Sequence, residues 1–471
     1  MAQTHAESAT APPSARRWRA LALLCVAQFM VILDVTVVNV ALPEMAADLG
    51  LDRAALTWVV TAYTLCFGGL MLLGGRLADL LGRRSMFLTG LVIFTAASLA
   101  AGLAGDANVL VGARAAQGVG AALLSPAALS IITTTFHGPE RHRALGVWAA
   151  LGGAGAAAGV LVGGVLTSGP GWQWVFYVNV PVGVMVAVLV PATVAAIGRQ
   201  GGRVDVPGAL LVTAATGALI YGLVRAGEDG WLVAVAVAAV LYAAFVVVQR
   251  RSPAPLVRLG LLAQRPMASG VTTMLAASAL LISGFFLSSL LSQHLLGMSA
   301  LATGLLFLPV AVATGVGAHL AGRLVGRVGA RPVAAAGFGA AAVGFAMLTR
   351  VDAGTNAWVG MLPGFVLAAA GLGAGFVTAT TTALARIDAH HAGMASGAVN
   401  TAHELGAALG VAVVSAIASG SIDALGGAAS IGGFTSAYWA CAGASVAAAL
   451  VLAAFLPAGR TPVGDGPVFA H

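Results

Sequence analysis

Two carboxylates, a guanidinium and an imidazole stand where an apolar chain has least reason to keep them. Asp34, Arg114 and the consecutive His403 and Glu404 lie inside stretches made otherwise mostly of Ala, Val, Leu and Gly. A charge at the centre of a spanning helix costs about 2.5–3.5 kcal/mol even on a lenient scale, so it is kept there by a function or by a partner. With a helical rise of about 1.5 Å per residue, Asp34 and Arg114 both fall roughly 10–12 Å below the same membrane boundary, where they can pair. Glu404 falls roughly 15 Å inside its own stretch. The chemistry open to such groups is proton transfer: a carboxyl that alternates between protonated and ion-paired forms carries a proton, and an imidazole changes charge near neutral pH. The plainer alternatives are a static Asp34–Arg114 ion pair and a His403–Glu404 pair that neutralise each other.

Further polar side chains in apolar runs, Asn39, Gln117 and Asn400, join His403 as candidates to line a substrate path. Asn39 lies about 140° round a helix from Asp34, so a hydrogen bond within the helix is an equal alternative for it. His319 reads as a packed or hydrogen-bonded helix residue. Cys25, Cys66 and Cys441 sit in apolar runs with no metal-ligand spacing, and no metal or cofactor is expected. The Gly-rich runs at 153–158 and 371–375 match a dinucleotide fingerprint only in letters, because no strand precedes them.

The elements that position these residues are spanning helices. Of 471 residues 59% are hydrophobic and 8% charged, against roughly 25% charged in a soluble domain. Runs of roughly 20 apolar residues predict an all-α membrane protein with fourteen transmembrane helices, near 20–42, 55–75, 85–104, 107–130, 144–168, 174–197, 206–224, 231–249, 268–291, 302–322, 332–349, 357–383, 394–418 and 434–456. Residues 1–19 are polar, so no cleavable leader is expected.

Basic residues decide orientation. All are Arg, and nineteen fall on the N-terminal side of the odd spans or in the tails, against three in the opposite loops. That asymmetry places both termini in the cytoplasm. The net charge of +7 thus reflects topology, and no nucleic-acid partner is expected.

The turn Gly75-Arg76-Leu77-Ala78-Asp79-Leu80-Leu81-Gly82-Arg83-Arg84 returns 247 residues later as Gly322-Arg323-Leu324-Val325-Gly326-Arg327-Val328-Gly329-Ala330-Arg331. The offset divides the chain into a six-helix bundle over 1–198, two inserted helices and a loop over 199–266, and a second six-helix bundle over 267–471. Parallel repeats of this kind build transporters whose central site opens alternately to either side. Gly155, Gly159 and Gly163, four residues apart, offer a smooth face for close helix packing.

Several of these segments resemble the fourteen-span drug:proton antiporters of the major facilitator superfamily. Leu33-Asp34-Val35-Thr36-Val37-Val38-Asn39-Val40-Ala41-Leu42-Pro43 is similar to their first-helix signature, the 75–84 turn to the superfamily's loop motif, and Leu110 through Gly120 to its fourth-span motif. The glycine run from Gly155 to Gly164 resembles the antiporter motif with Val160 in place of Pro. The stretch Ala392–Gly406 resembles the thirteenth span, with His403-Glu404 where Arg-Gln is usual.

The resemblance implies proton-coupled efflux of small hydrophobic or amphiphilic compounds across the plasma membrane. Asp34, Arg114 and Glu404 would couple protons. Gly75, Asp79, Gly82, Arg83, Arg84, Arg323 and Arg327 would form a cytoplasmic gate, for which plain membrane anchoring is the alternative. Dedicated export of one metabolite or lipid is the rival function. A membrane-embedded enzyme is disfavoured because no zinc-binding or nucleophile motif appears. Protons, a small substrate and the bilayer are the expected partners of a chain working as a monomer.

Overall fold

A chain that crosses lipid finds no water for its backbone, so its apolar runs close their hydrogen bonds internally as helices. The structure, a computed structural model, describes residues 14–457 except 137, 195–204, 227–228, 254, 353, 386–391 and 424–430. The bundle boundary expected at 198/199 and the arginines at 199, 203, 386 and 460 lie outside the described residues.

The chain opens with α1 Ser14–Leu49, α2 Arg53–Leu81, α3 Arg83–Gly102, α4 Ala107–Thr135 and α5 Gly138–Ser168. The short α6 Trp174–Tyr177 and then α7 Asn179–Thr193 follow, before α8 Val206–Val224 and α9 Trp231–Arg251. After α10 Leu259–Leu262 come α11 Arg265–Leu290, α12 Ala300–Val328 and α13 Ala330–Leu348. α14 Leu362–Leu384, α15 Ala392–Ile417, α16 Ser419–Asp423 and α17 Gly432–Phe455 complete the series.

Among the described residues twelve helical stretches, rather than fourteen, are long and apolar enough to cross a membrane, with α6 and α7 forming one of them. The two expected spans outside that dozen are α5 and α15, of 31 and 26 residues. In α5 the described apolar stretch is only Ala158–Ser168. In α15 the polar Asn400, Thr401, His403 and Glu404 dilute the apolar run.

The break between α6 and α7 has a local cause. Pro181 has no N–H to offer the carbonyl of Tyr177, so the ladder lapses there and resumes at Asn179. A related economy joins α2 to α3 and α12 to α13, where a single glycine with positive φ, Gly82 at 100° and Gly329 at 90°, caps one helix and starts the next. An L side chain rarely adopts that backbone.

Within the first set of helices α1 packs on α5, and α2 and α3 on α4; within the second, α11 packs on α15, and α12 and α13 on α14. Across the two sets α2 meets α15 and α5 meets α12. The α2–α15 contact runs as far as Leu72 beside Gly397, and the two sets also meet at the end of the bundle opposite the 75–84 turn, called here the arginine-poor end. There Thr57 and Ser415 hydroxyls bond at 2.6 Å, and the Leu301 N–H donates to Ser168 Oγ at 2.9 Å. One apolar cluster, including Val37, Leu42, Trp172, Phe286, Leu290 and Phe307, joins both sets at that end. Toward the arginine-rich end the first set has its own cluster around Phe67, Phe87 and Phe94. A separate one in the second set surrounds Met267, Met274 and Val399.

Helix α8 lies against both α2 and α15, with Ile220 and Val224 packed among Leu65, Ala408 and Ala412. Its C-terminal carbonyl on Val224 accepts from Arg53 at 2.5 Å. Most of the surface of α9 is open to the outside, and Thr216 and Tyr242 hydroxyls bond it to α8 at 2.8 Å.

Candidate functional site

The buried polar residues of the first helix set converge on one carboxylate. Asp34 is fully buried, and its Oδ2 accepts from Arg114 Nη1 at 2.5 Å. Its Oδ1 accepts from Gln117 Nε2 at 3.0 Å and from Asn179 Nδ2 at 2.9 Å. Arg114, 2% exposed, also donates Nε to Val59 O at 3.0 Å and Nη1 to Gln117 Oε1 at 2.9 Å. Its guanidinium stacks over the Tyr63 ring, 4.3 Å from the centroid. Ser98 Oγ accepts from Gln117 at 2.7 Å and from Asn179 at 3.4 Å. Five helices, α1, α2, α3, α4 and α7, thus hold one charge pair, and a buried pair survives only when its remaining valences are filled in this way.

Helix geometry explains the convergence. Arg114 and Gln117 are three residues apart on α4 and share a face, while Asn179 starts α7 at the break that Pro181 imposes. The glycine face of α5 seats α1: Gly155 abuts Ile32, Gly159 abuts Thr36, and a Cβ on Gly163 would lie 3.1 Å from the Val37 Cα and carbonyl. A side chain at any of the three would push α1, and Asp34 with it, off α5.

Among the expected residues, Asp34 and Arg114 are brought together. Gln117, expected along a substrate path, is fully buried and commits its amide to Asp34, Arg114 and Ser98. Asn39 is buried and donates Nδ2 to Val35 O at 3.0 Å, the intrahelical alternative, while its Oδ1 has no hydrogen bond. Glu404 is far from the Asp34 network in sequence and lies in α15 against Gly68 of α2, at the seam between the two sets. His403 Nδ1 lies 3.7 Å from Glu404 Oε1, and its ring meets Phe376 edge-on at 5.4 Å. Asn400 is half-buried one turn earlier on the same helix. His319, expected to be packed or hydrogen-bonded within its helix, is exposed on α12 and so is not packed.

At the arginine-rich end Asp79 pairs within its own set, with Arg83 Nη2 at 3.4 Å, and both are partly exposed. Arg84 Nη1 donates to the carbonyls of Val194 at 3.0 Å and Pro191 at 3.4 Å, which end α7. Gly75 lies in contact distance of Pro126 on α4, whereas Arg323 and Arg327 are exposed on α12. Sequence reasoning missed Tyr63, Ser98 and Asn179. Asn179 was findable as a lone amide two residues before a proline in an apolar run; serines are too common in spanning helices for Ser98 to stand out.

Relatives include the puromycin resistance protein pur8 of Streptomyces alboniger, 40% identical with 88% of this chain and 84% of that protein covered. The cephamycin export protein CmcT of Amycolatopsis lactamdurans is 42% identical, covering 84% of each chain. The lincomycin resistance protein of Streptomyces lincolnensis is 38% identical, over 85% of this chain and 84% of that one. In fold, the chain is similar to a crystal structure of an auto-inhibited POT family peptide transporter, with a TM-score of 0.71 at 13% identity, over 96% of this chain and 100% of that one. Residues 24–411 match the Major Facilitator Superfamily, and the chain belongs to that superfamily.

Proposed function

We propose that this chain exports small hydrophobic or amphiphilic compounds, antibiotics among them, across the plasma membrane in exchange for protons by alternating access. The observation that carries the reading is Asp34: a fully buried carboxyl on α1, held by one cation and two amides. Protonation would release Arg114, and so one site can exist in two arrangements. The functions of relatives, resistance to puromycin and lincomycin and export of a cephamycin, support the direction and class of cargo. On this reading α5 and α15 span as well, making fourteen, in two six-helix bundles with α8 and α9 inserted. The arginine-rich end and both termini then face the cytoplasm, and one chain suffices. A proton entering down 100 mV yields about 2.3 kcal/mol, and the pH difference adds to it.

The test is flux. In proteoliposomes, an imposed pH gradient should drive puromycin, lincomycin or a cephamycin against its own gradient, and a protonophore should stop it. Movement that ignores the gradient would refute coupling, and no movement of any of the three would favour a dedicated metabolite exporter.

Asp79, Arg83 and Arg84, with Gly75 and Gly82 shaping the turn and Arg323 and Arg327 opposite, form the cytoplasmic gate on this reading. Asp79 holds Arg83 when paired within its own set and would release it to partners across the seam. Charge-assisted contacts suit a reversible gate because they are directional and compete with water. Asp79→Asn is expected to change the ratio of the two access states severalfold, because a contact present in one state alone sets their difference. Cysteine labelling from each side of the membrane reads this directly. Equal labelling of variant and parent would leave anchoring as the only role.

Glu404, at the seam between α2 and α15 beside His403, is the second proton-coupling group of the proposal and, when deprotonated, places negative charge next to the substrate path with Asn400 and His403. Glu404→Gln should then weaken export of cationic compounds about tenfold more than of neutral ones, since the lost attraction acts only on charge. Equal loss for both classes, measured over a matched panel, would instead assign Glu404 to packing or to coupling alone.

A further inference from the structure

Pro43 interrupts the hydrogen-bond ladder of α1. A proline has no N–H, so the carbonyl four residues earlier, on Asn39, loses its helical donor. Buried in a membrane protein, such a carbonyl must find another. The donor comes from the other helix set: the fully buried Ser289 hydroxyl, on α11, bonds Asn39 O. Four residues on, Gln293 Nε2 donates to the next carbonyl, Val40 O, at 2.8 Å and reaches Ser289 Oγ at 3.3 Å. Gln293 lies in Leu291–Leu295, a π-helical turn that continues α11. Such wide turns are rare and recur at functional places. Around these bonds Val38, Ala41 and Leu42 share an apolar cluster with Leu287, Leu290 and Leu291.

We propose that Ser289 and Gln293 form the latch that closes the arginine-poor end, seated on α1 backbone carbonyls of which one is stripped of its helical donor by Pro43. The proposal rests on the alternating-access reading and adds the residues that hold one of its two states. Its physical basis is an asymmetry. With the end closed, removing the hydroxyl leaves Asn39 O dry and without a donor; with the end open, water replaces the donor at little cost. The bonds therefore weigh on the closed state only, which is what a latch requires.

The test reads conformation rather than transport. Spin labels are placed at the exposed positions Asn108 and Val359 by Asn108→Cys and Val359→Cys, in protein whose Cys25, Cys66 and Cys441 are replaced by Ala, and distances across the arginine-poor end are measured in lipid over a range of pH. Ser289→Ala with Gln293→Leu is expected to move the closed-to-open ratio about tenfold toward open. Pro43→Ala, which restores an N–H four residues after Asn39, should move it in the same direction and add little to Ser289→Ala. Ser288→Ala is the control: its hydroxyl bonds Tyr438 at 2.9 Å within the second set, so it should leave the ratio unchanged. If the parent's distances respond to pH but the double variant keeps the parent's ratio, the latch is overturned and alternating access stands. A single parent distance at every pH and substrate concentration would overturn both. Full additivity of Pro43→Ala and Ser289→Ala would remove Pro43 from the device.

Discussion

Asp34→Asn protein in proteoliposomes with an imposed pH gradient is expected to accumulate substrate against its own gradient no better than protein-free vesicles, a loss of two orders of magnitude or more in gradient-driven uptake, while still inserting and folding. An amide fills the space of the carboxyl and can still accept from Arg114 through its oxygen. It has no proton to release, so the two arrangements of the site are no longer linked to pH. The substitution also has a local cost. Asp34 Oδ1 accepts from both Gln117 and Asn179, and an amide NH2 in its place can accept from neither, so both of these bonds are lost. Exchange of substrate without a gradient should persist at a reduced rate, because the pathway itself is intact. Gradient-driven flux near the parent's would end the role of Asp34 in coupling.

The largest effect on stability is expected at Arg114. Arg114→Leu leaves the Asp34 carboxylate fully buried without its cation, and removing one partner of a buried pair costs about 3–5 kcal/mol. It also takes one donor each from Val59 O and Gln117 Oε1. Combining it with Asp34→Asn should recover a large part of the loss, because neither charge then remains unpaired. Thermal unfolding of the purified single and double variants in one detergent measures the coupling. The double variant also separates two roles for the pair. A pair serving only to fix helix packing would leave the restabilised double variant competent in gradient-driven transport, whereas a proton-coupling pair leaves it folded and inactive.

Much of the bundle is legible in the sequence. Runs of apolar residues must form helices in lipid, so helix positions follow from composition, and the repeated 75–84 and 322–331 turns correctly marked two places where a glycine with positive φ joins helices without a loop. The Asp34–Arg114 contact was legible for a related reason: few charges occur in the spans, and equal depth on two helices leaves them few alternatives. Local rules also explain Asn39, whose bond to Val35 O depends on its own helix alone.

Sequence by itself determined the class of protein, the place of most helices, the glycine seat of α5 and the identity of the central ion pair, because each is set by local composition or by spacing along one helix. Only the tertiary structure decided which helices meet across the two sets, that Gln117, Ser98 and Asn179 complete the Asp34 site, that Tyr63 lies beneath Arg114, and that Ser289 and Gln293 reach the carbonyls beside Pro43. Those contacts join residues tens to hundreds of positions apart through polar types common in any spanning helix, so their rotation and depth are fixed by packing of neighbouring helices and leave no periodic trace in the chain.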